Sequence, residues 1–263
     1  MHKPLKVSIV TVCYNSAKTI EDTLRSIVEQ DHPSIEYIIV DGGSTDGTLD
    51  LIAKYKDKIS LVISEPDKGI YDAMNKGILR STGDIVGLLN ADDVYANAQI
   101  LSTVAKTFED FNPDACHGDL IYFSHDNPDK IYRYWQSCDF VPGAFAKGWT
   151  PAHPTFFVKR EIYTRYGLFD LSYSMGNDVE LMMRFMEKHQ IKSHYLAQIL
   201  VKMRLGGVSN RQFKNIWLQN KNILFAARQL NVPISTAKFV LYKLLNRLTQ
   251  FIRKPERGSF YAK

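Results

Sequence analysis

GDIVGLLNADD, residues 83–93, is the stretch on which the fold turns. Ile85, Val86, Gly87, Leu88 and Leu89 form an uncharged apolar run between polar residues, the pattern of a short strand buried on both faces. Two carboxylates, Asp92 and Asp93, follow directly. Residues just past the carboxyl end of a parallel strand line the ligand crevice of an open α/β sheet, and hard divalent cations prefer carboxylate oxygens. The pair is therefore a candidate site for a cation and a bound phosphate. The plainer reading is a turn followed by a helix N-cap, since Asp favours both.

The flanking segments favour the first reading. Residues 6–13 (KVSIVTVC) are β-branched and apolar, and they end at Tyr14, Asn15 and Ser16. Asn15 or Ser16 suits the N-cap of a helix on which Ile20, Leu24, Ile27 and Val28 fall at helical spacing. Residues 36–40 read as a second strand, closed by DGGSTDGT (41–48), whose glycines allow tight turning and whose Asp46 can cap a helix carrying Leu49, Leu51 and Ile52. Residues 59–63 read as a third strand, and EPDKGIYDAMNKGI (65–78) leads into a helix that ends near Thr82. Strand and helix alternate with short joints, which predicts an α/β fold with a mostly parallel, doubly wound sheet and right-handed crossovers.

A dinucleotide or P-loop site is not supported. The first strand-to-helix joint, VCYNSAKT, has no glycine to let the backbone approach a pyrophosphate. Gly42, Gly43 and Gly47 in the second joint have the wrong spacing, and no G-x-x-x-x-G-K-[ST] occurs.

Composition sets the wider bounds. With 263 residues, 45% of them hydrophobic, the chain can bury one large core. Cys13, Cys116 and Cys138 are too few and too scattered for a disulfide framework or a zinc site, which fits a reducing cytosol. A strand-like run follows closely on Met1, and no apolar stretch approaches the roughly 18 residues of a membrane span, so the expectation is a cytoplasmic chain. The net charge of +5 conceals a split. Residues 1–210 carry 22 Lys and Arg against 27 Asp and Glu, a balance of −5, whereas residues 211–263 carry 11 against the single Glu256, a balance of +10. An acidic body with a basic tail points to a polyanionic partner such as anionic lipid or nucleic acid.

Taken together, VSIVTVCYNS, IIVDGGSTDGT, EPDKGIYDAMNKGI, GLLNADD and MGNDVELMMRF resemble the successive signatures of the family 2 glycosyltransferases. The resemblance spans roughly residues 5–210 and implies a GT-A fold, Rossmann-like, for residues 1–210, with residues 211–263 as a separate basic amphipathic helical tail. It also implies inverting transfer of a sugar from a nucleotide-diphosphate donor, assisted by Mg2+ or Mn2+. By position, Tyr14 resembles the base-stacking corner, Asp41 the acid that receives the ring N–H, and Asp67 a further nucleoside contact. Asp92 and Asp93 match the D-x-D-type motif that holds ribose and metal-bridged diphosphate, and Asp178 matches the acid expected to act as general base.

The chemistry agrees on physical grounds. A cation held by carboxylates neutralises a departing diphosphate without a proton. One carboxylate on the other face can take the proton of the attacking hydroxyl, for roughly 10²–10⁴-fold in rate. This sequence departs from the family pattern in two places. Met74 stands where an Arg is frequent in A-R-N-x-G, which leaves phosphate contact to Lys68 or Lys76. Asn177-Asp178 replaces Glu-Asp, and Glu180, two residues on, does not share a helical face with Asp178.

In the middle region, residues 114–123, 130–134 and 194–204 read as strands. His153 is a candidate to approach the metal or the acceptor, although a lone His is more often structural. Trp149, Phe156 and Phe157 read as core or pocket wall, as do Tyr132, Tyr134 and Trp135. Gly206, Gly207, Val208 and Ser209 form a turn that resembles the family's donor-covering segment, or simply a bend. The tail reads as two helices parted by Asn231-Val232-Pro233. On the second, Leu241, Leu244, Leu245, Leu248 and Ile252 form one stripe, with Lys243, Arg247 and Lys254 roughly opposite. That stripe either lies on an anionic membrane or packs on the catalytic domain with its lysines solvated. No pattern typical of nucleic-acid readers accompanies the charge.

The expectation is a cytoplasmic glycosyltransferase, peripheral on the inner membrane face, acting on a glycan or polyprenyl-linked acceptor in polysaccharide synthesis. The alternatives are a sugar nucleotidyltransferase, against which the glycine-free first joint argues, and a non-catalytic nucleotide-sugar binding module, against which the three aspartates argue.

Overall fold

The structure, a computed structural model, describes residues 3–124, 127, 130–205 and 213–255. Gly206, Gly207, Val208 and Ser209 lie outside them. Among the described residues nine strands form one sheet. The first half alternates as the sequence predicts: β1 (Val7–Cys13), α1 (Ile20–Val28), β2 (Ile35–Asp41), α2 (Thr48–Ala53), β3 (Leu61–Ser64), α3 (Ile70–Arg80) and β4 (Ile85–Leu88). These strands lie in the order β3-β2-β1-β4, all parallel.

Alternation of side chains along the strands divides the core in two. Val7 and Ile9 of β1 and Tyr37 and Ile39 of β2 pack with Ile20, Leu24 and Ile27 of α1. Val10, Val12, Ile38 and Val40 face the other way, onto Met74 and Ile78 of α3. All four residues of β4 are buried, as expected of a strand covered on both faces.

Beyond β4 the sheet becomes mixed. The elements that follow are β5 (Asp93–Tyr95), α4 (Ile100–Phe111), β6 (Ala115–Phe123), β7 (Arg133–Trp135), β8 (Phe157–Lys159), α5 (Arg160–Tyr166), α6 (Asn177–Met183), β9 (Ser193–Arg204), α7 (Phe213–Gln229) and α8 (Thr236–Ile252). The sheet continues from β4 as β8-β6-β9-β5, with β7 on the flank of β6. β8 is antiparallel to both β4 and β6, whereas β6 and β9 run parallel.

Three local expectations shift. Asn15 does not cap α1. It takes φ +49°, accepts the Thr45 N–H at 2.9 Å and donates its own N–H to Ser44 Oγ at 2.8 Å, so α1 begins only at Ile20, after a turn closed on the Ser16 carbonyl. Asp92 and Asp93 introduce no helix. Asp93 opens β5, pairs with Met203 of β9, and its carbonyl receives the Thr23 hydroxyl at 2.7 Å. The strand expected over residues 130–134 forms as Arg133–Trp135.

The tail helices pack on the body. Ile223, Ala227, Leu230, Val232 and Phe239 belong to the same buried cluster as α3 and α6. α8 does so with its polar side inward. Lys243 lies against Gly148, Asn246 Nδ2 donates to the Lys147 carbonyl at 3.2 Å, and Gln250 Oε1 accepts Arg133 Nε at 2.5 Å. Leu241, Leu244, Leu245, Leu248 and Ile252 face outward. The packing alternative had the opposite face of α8 against the protein. No helix of the described residues is long and apolar enough to cross a membrane.

Candidate active site

Parallel register brings the carboxyl ends of β1 to β4 to one edge, with Cys13 beside Asp41 and Asp41 beside Ser64. The loops that leave this edge are tied to one another. Asn15 binds the 44–45 segment, Ser16 N–H donates to Thr48 Oγ1 at 2.8 Å, and Ala17 N–H donates to Asp46 Oδ2 at 3.0 Å. Asp46 also receives the Thr48 N–H at 3.1 Å, at the start of α2.

Asp41 is fully buried and organises this corner. It accepts the N–H groups of Gly43 and Ser44 at 3.1 and 3.0 Å and the hydroxyl of Ser64 at 2.8 Å, with Ser44 Oγ and Cys13 Sγ on its other oxygen. Burial alone would raise its pKa, but these hydrogen bonds outweigh that and hold it below the ordinary Asp value. Gly42 sits between Tyr14 and Asp67. A Cβ there would come within 2.5 Å of Asp67 Oδ2 and 3.4 Å of the Tyr14 ring. The Tyr14 side chain, 64% exposed, is open to stacking. Lys68 is exposed at the start of α3, whereas Lys76 is held by Glu65 at 2.8 Å and by the Pro66 carbonyl at 3.1 Å.

After β4 the chain places Asn90, Asp92 and Asp93 together. Asp93 is buried, and its carboxyl pKa rises well above the usual range, first because burial strips its water and then because Asp92 adds like charge. Asp92, half-buried, is raised by desolvation, with Arg204 and His153 opposing. Asn90 Nδ2 donates to Asp93 Oδ2 at 3.3 Å, while Asp93 Oδ1 and Asn90 Oδ1 are buried with no hydrogen-bond partner among the described residues. A corner rich in oxygens and short of protons fits a hard cation. Among the described residues no three His, Cys, Asp or Glu side chains form a ready metal cage. Mg2+-type sites normally use one or two carboxylates and complete the shell with water and substrate phosphate.

His153 links this corner to α6. Its Nε2 lies 3.5 Å from Asn90 Nδ2, and its Nδ1 lies 3.9 Å from Asp178 Oδ2. Burial lowers its pKa, with Asp178 and Asp92 pulling the other way. Asp178 also receives the Tyr71 hydroxyl at 3.2 Å. α3 fixes the approach to α6, because Asn75 exchanges two 2.9 Å hydrogen bonds with the backbone of Phe169 and Tyr71 packs on the Phe169 ring at 5.2 Å. Asp178 is thus brought to the cleft, one imidazole away from Asn90.

Its sequence neighbours turn elsewhere. Asn177 donates to the carbonyls of Asp170 and Tyr173, and Glu180 pairs with Arg184 at 2.9 Å. Phe156 and Phe157 are core, and Trp149 packs against Phe140 and Phe145.

Nothing local in the sequence marks Asn90, Tyr71 or Arg204 as part of the site. Tyr71 carries no local signal, since only the long-range docking of α6 brings it to Asp178. Lys243 was assigned to a solvated face, yet burial pulls its pKa down to about 8, against the charge of Asp178 and with Arg247 adding repulsion. A separate cavity of about 480 Å³, lined by residues including Asp114, Arg160, Arg165 and His189, contains none of the candidate residues.

Known proteins share this architecture. The chain is 28% identical over 208 residues to the PGL/p-HBAD biosynthesis glycosyltransferase of Mycobacterium bovis (strain BCG / Pasteur 1173P2), covering 77% of this chain and 78% of that one. It is 44% identical over 96 residues, 35% of this chain and 38% of the relative, to TuaG of Bacillus subtilis (strain 168), named provisionally as a teichuronic acid biosynthesis glycosyltransferase. Among solved structures, S. aureus TarS 1-349 in complex with UDP-GlcNAc superposes with a TM-score of 0.68 at 17% identity, covering 93% of this chain and 73% of that one. The fold is GT-A. The profile described as glycosyl transferase family 2 matches residues 8–168, more than half of the chain, and the protein is a glycosyltransferase belonging to that family.

Proposed function

We propose that the chain moves one sugar, with inversion, from a nucleoside diphosphate to an acceptor hydroxyl, and that Asp178 is the general base. The observation that carries this reading is the placement of the Asp178 carboxylate, which accepts the Tyr71 hydroxyl on one oxygen and faces His153 with the other, with the Asn90, Asp92 and Asp93 corner beyond the imidazole. Tyr14, Asp41 and Asp67, with Lys68 at the rim, form the nucleoside side. Asp41 acts there chiefly by shaping the loop, since both its oxygens already carry donors.

Asp92 and Asp93, with Asn90 Oδ1, would hold Mg2+ or Mn2+. Such a cation supplies charge neutralisation for the departing diphosphate. His153 is a positioning residue in this reading. Its ring separates the carboxylates of the two sides and orients Asp178, which takes the acceptor proton as the hydroxyl attacks from the face opposite the leaving group.

The relatives' names, in PGL/p-HBAD and teichuronic acid biosynthesis, support a glycan or polyprenyl-linked acceptor in surface polysaccharide synthesis. The outward leucine stripe of α8 is an apolar surface that supports attachment to a lipid surface.

The test is Asp178→Asn. Transfer falls by roughly 10²–10⁴-fold while UDP affinity, measured by calorimetry, stays within a few fold. Loss of UDP binding would move Asp178 to the donor site, and unchanged transfer would remove it from the chemistry.

A further inference from the structure

An amphipathic helix normally buries its apolar side. α8 does the reverse. Its leucines face outward, while Lys243, Asn246, Arg247 and Gln250, at spacings of three and four, turn toward the body. Taking cations out of water costs free energy unless anions meet them, yet no carboxylate meets these. The Lys243 ammonium is held by the Asn220 amide oxygen at 2.6 Å and lies 5.4 Å from the Phe239 ring centroid. The guanidinium of Arg133 lies over Tyr122 at 4.6 Å, near Trp135 and Phe251, and its Nε donates to the Gln250 amide oxygen. Among the described residues neither Lys243, Arg247 nor Arg133 has an ion-pair partner.

These cations face the catalytic side. Buried Tyr122 feels the charges of Arg133 and Arg247 together with those of Asp93 and Asp178, so both groups lie within electrostatic reach of one ring. α7 carries both ends of the arrangement, since Asn220 holds Lys243 while Gln219 and Ile223 pack on Gly176, two residues before Asp178.

We propose that Lys243, Arg247 and Arg133 form the subsite for an anionic group of the acceptor, a phosphate or a carboxylate. The subsite is on the acceptor side because α7 joins it to the start of α6, where Asp178 lies, so the inference rests on the reading of Asp178 as the base. The nucleoside corner lies at the ends of β1 to β3, and a bilayer against the outer leucines would meet the opposite face of α8. A lipid phosphate or an acidic sugar would satisfy the three cations with charge-assisted hydrogen bonds.

The test is calorimetry on the full chain with decyl phosphate, decanol, inorganic phosphate and, separately, UDP with Mg2+. Decyl phosphate binds saturably, decanol does not, and inorganic phosphate competes. Arg247→Met, which removes no hydrogen bond described here, and Lys243→Met each weaken decyl phosphate by about tenfold or more while UDP affinity stays within about twofold. Leu244→Ser with Leu248→Ser leaves decyl phosphate affinity unchanged. Equal binding of decanol, equal affinity in all variants, or loss confined to the leucine variant overturns the subsite. A parallel loss of UDP affinity in the cation variants reassigns the cluster to the donor diphosphate. A wild-type chain that binds none of UDP, GDP and dTDP would instead break the reading of the donor site, whatever the decyl phosphate result.

Discussion

The nucleoside corner and the acceptor side are built by opposite means. The corner is made of three loops at one sheet edge, joined by short-range and loop-to-loop hydrogen bonds around the buried Asp41. The acceptor side is assembled from α3, the 3-10 turn at His153, α6, α7 and α8, and its key contacts span much of the chain, such as Tyr71 to Asp178 and Arg133 to Gln250. Both sides contain buried charge. In the corner each charge has donors, whereas around Asp93 and Lys243 charges of one sign are left under-compensated. Stored electrostatic need of that kind marks where ligand charge is received.

The largest expected effect breaks this contrast at its sharpest point. Asp92→Ala removes a carboxylate from the under-compensated cluster, and donor turnover falls by roughly 10²–10³-fold while the far-ultraviolet dichroism spectrum is retained. Metal-dependent turnover equal to wild type excludes Asp92 from cation binding.

The next is read in how stability depends on pH, at a buried charge site outside both sides. His117, fully buried on β6 beside Trp149 and Tyr195, has its pKa pulled down to about 4 by desolvation and gives Nε2–H to the Cys138 carbonyl at 3.0 Å. The unfolded chain takes up the proton near pH 6.5, so the contribution of His117 is complete above that pH and is lost as pH falls toward 4. The loss is about 3 kcal/mol. Urea midpoints of wild type and His117→Gln, compared at pH 7.5 and 4.5, read the difference. Equal acid sensitivity in the two proteins removes His117 as its source.

The smallest effect is confined to the nucleoside corner. Gly42→Ala sets a methyl group against the Asp67 carboxylate, which can swing away. UDP affinity falls about tenfold, and the melting temperature changes little. A variant that binds UDP normally would show that this gap is not part of the nucleoside site.

Much of the corner was legible in the residues because its parts are local. Period-two strands with Asp, Gly and Ser at their ends specify where a parallel sheet turns, and Tyr14, Asp41 and Asp67 fall at three successive turns. The displaced start of α1 shows the limit. Asn15 is an equally good cap and loop clamp, and the partner that chose between them, the 44–45 segment, is thirty residues away. Asp93 is similar. Its strand forms because β9 supplies the ladder, and nothing adjacent to Asp93 encodes that.

The sequence by itself determined the α/β order, the acids that follow β4, the acid in the first turn of α6, and the two-helix basic tail. Each follows from propensity, periodicity or charge within a short window. Tertiary structure alone decided that His153 stands between Asn90 and Asp178, that Asn75 serves as a clamp, and that α8 turns its cations inward. The facing of α8 depends on the surface it meets, formed by Arg133, Lys147 and Gly148, and a helix cannot record in its own pattern which of its two sides a distant surface will accept.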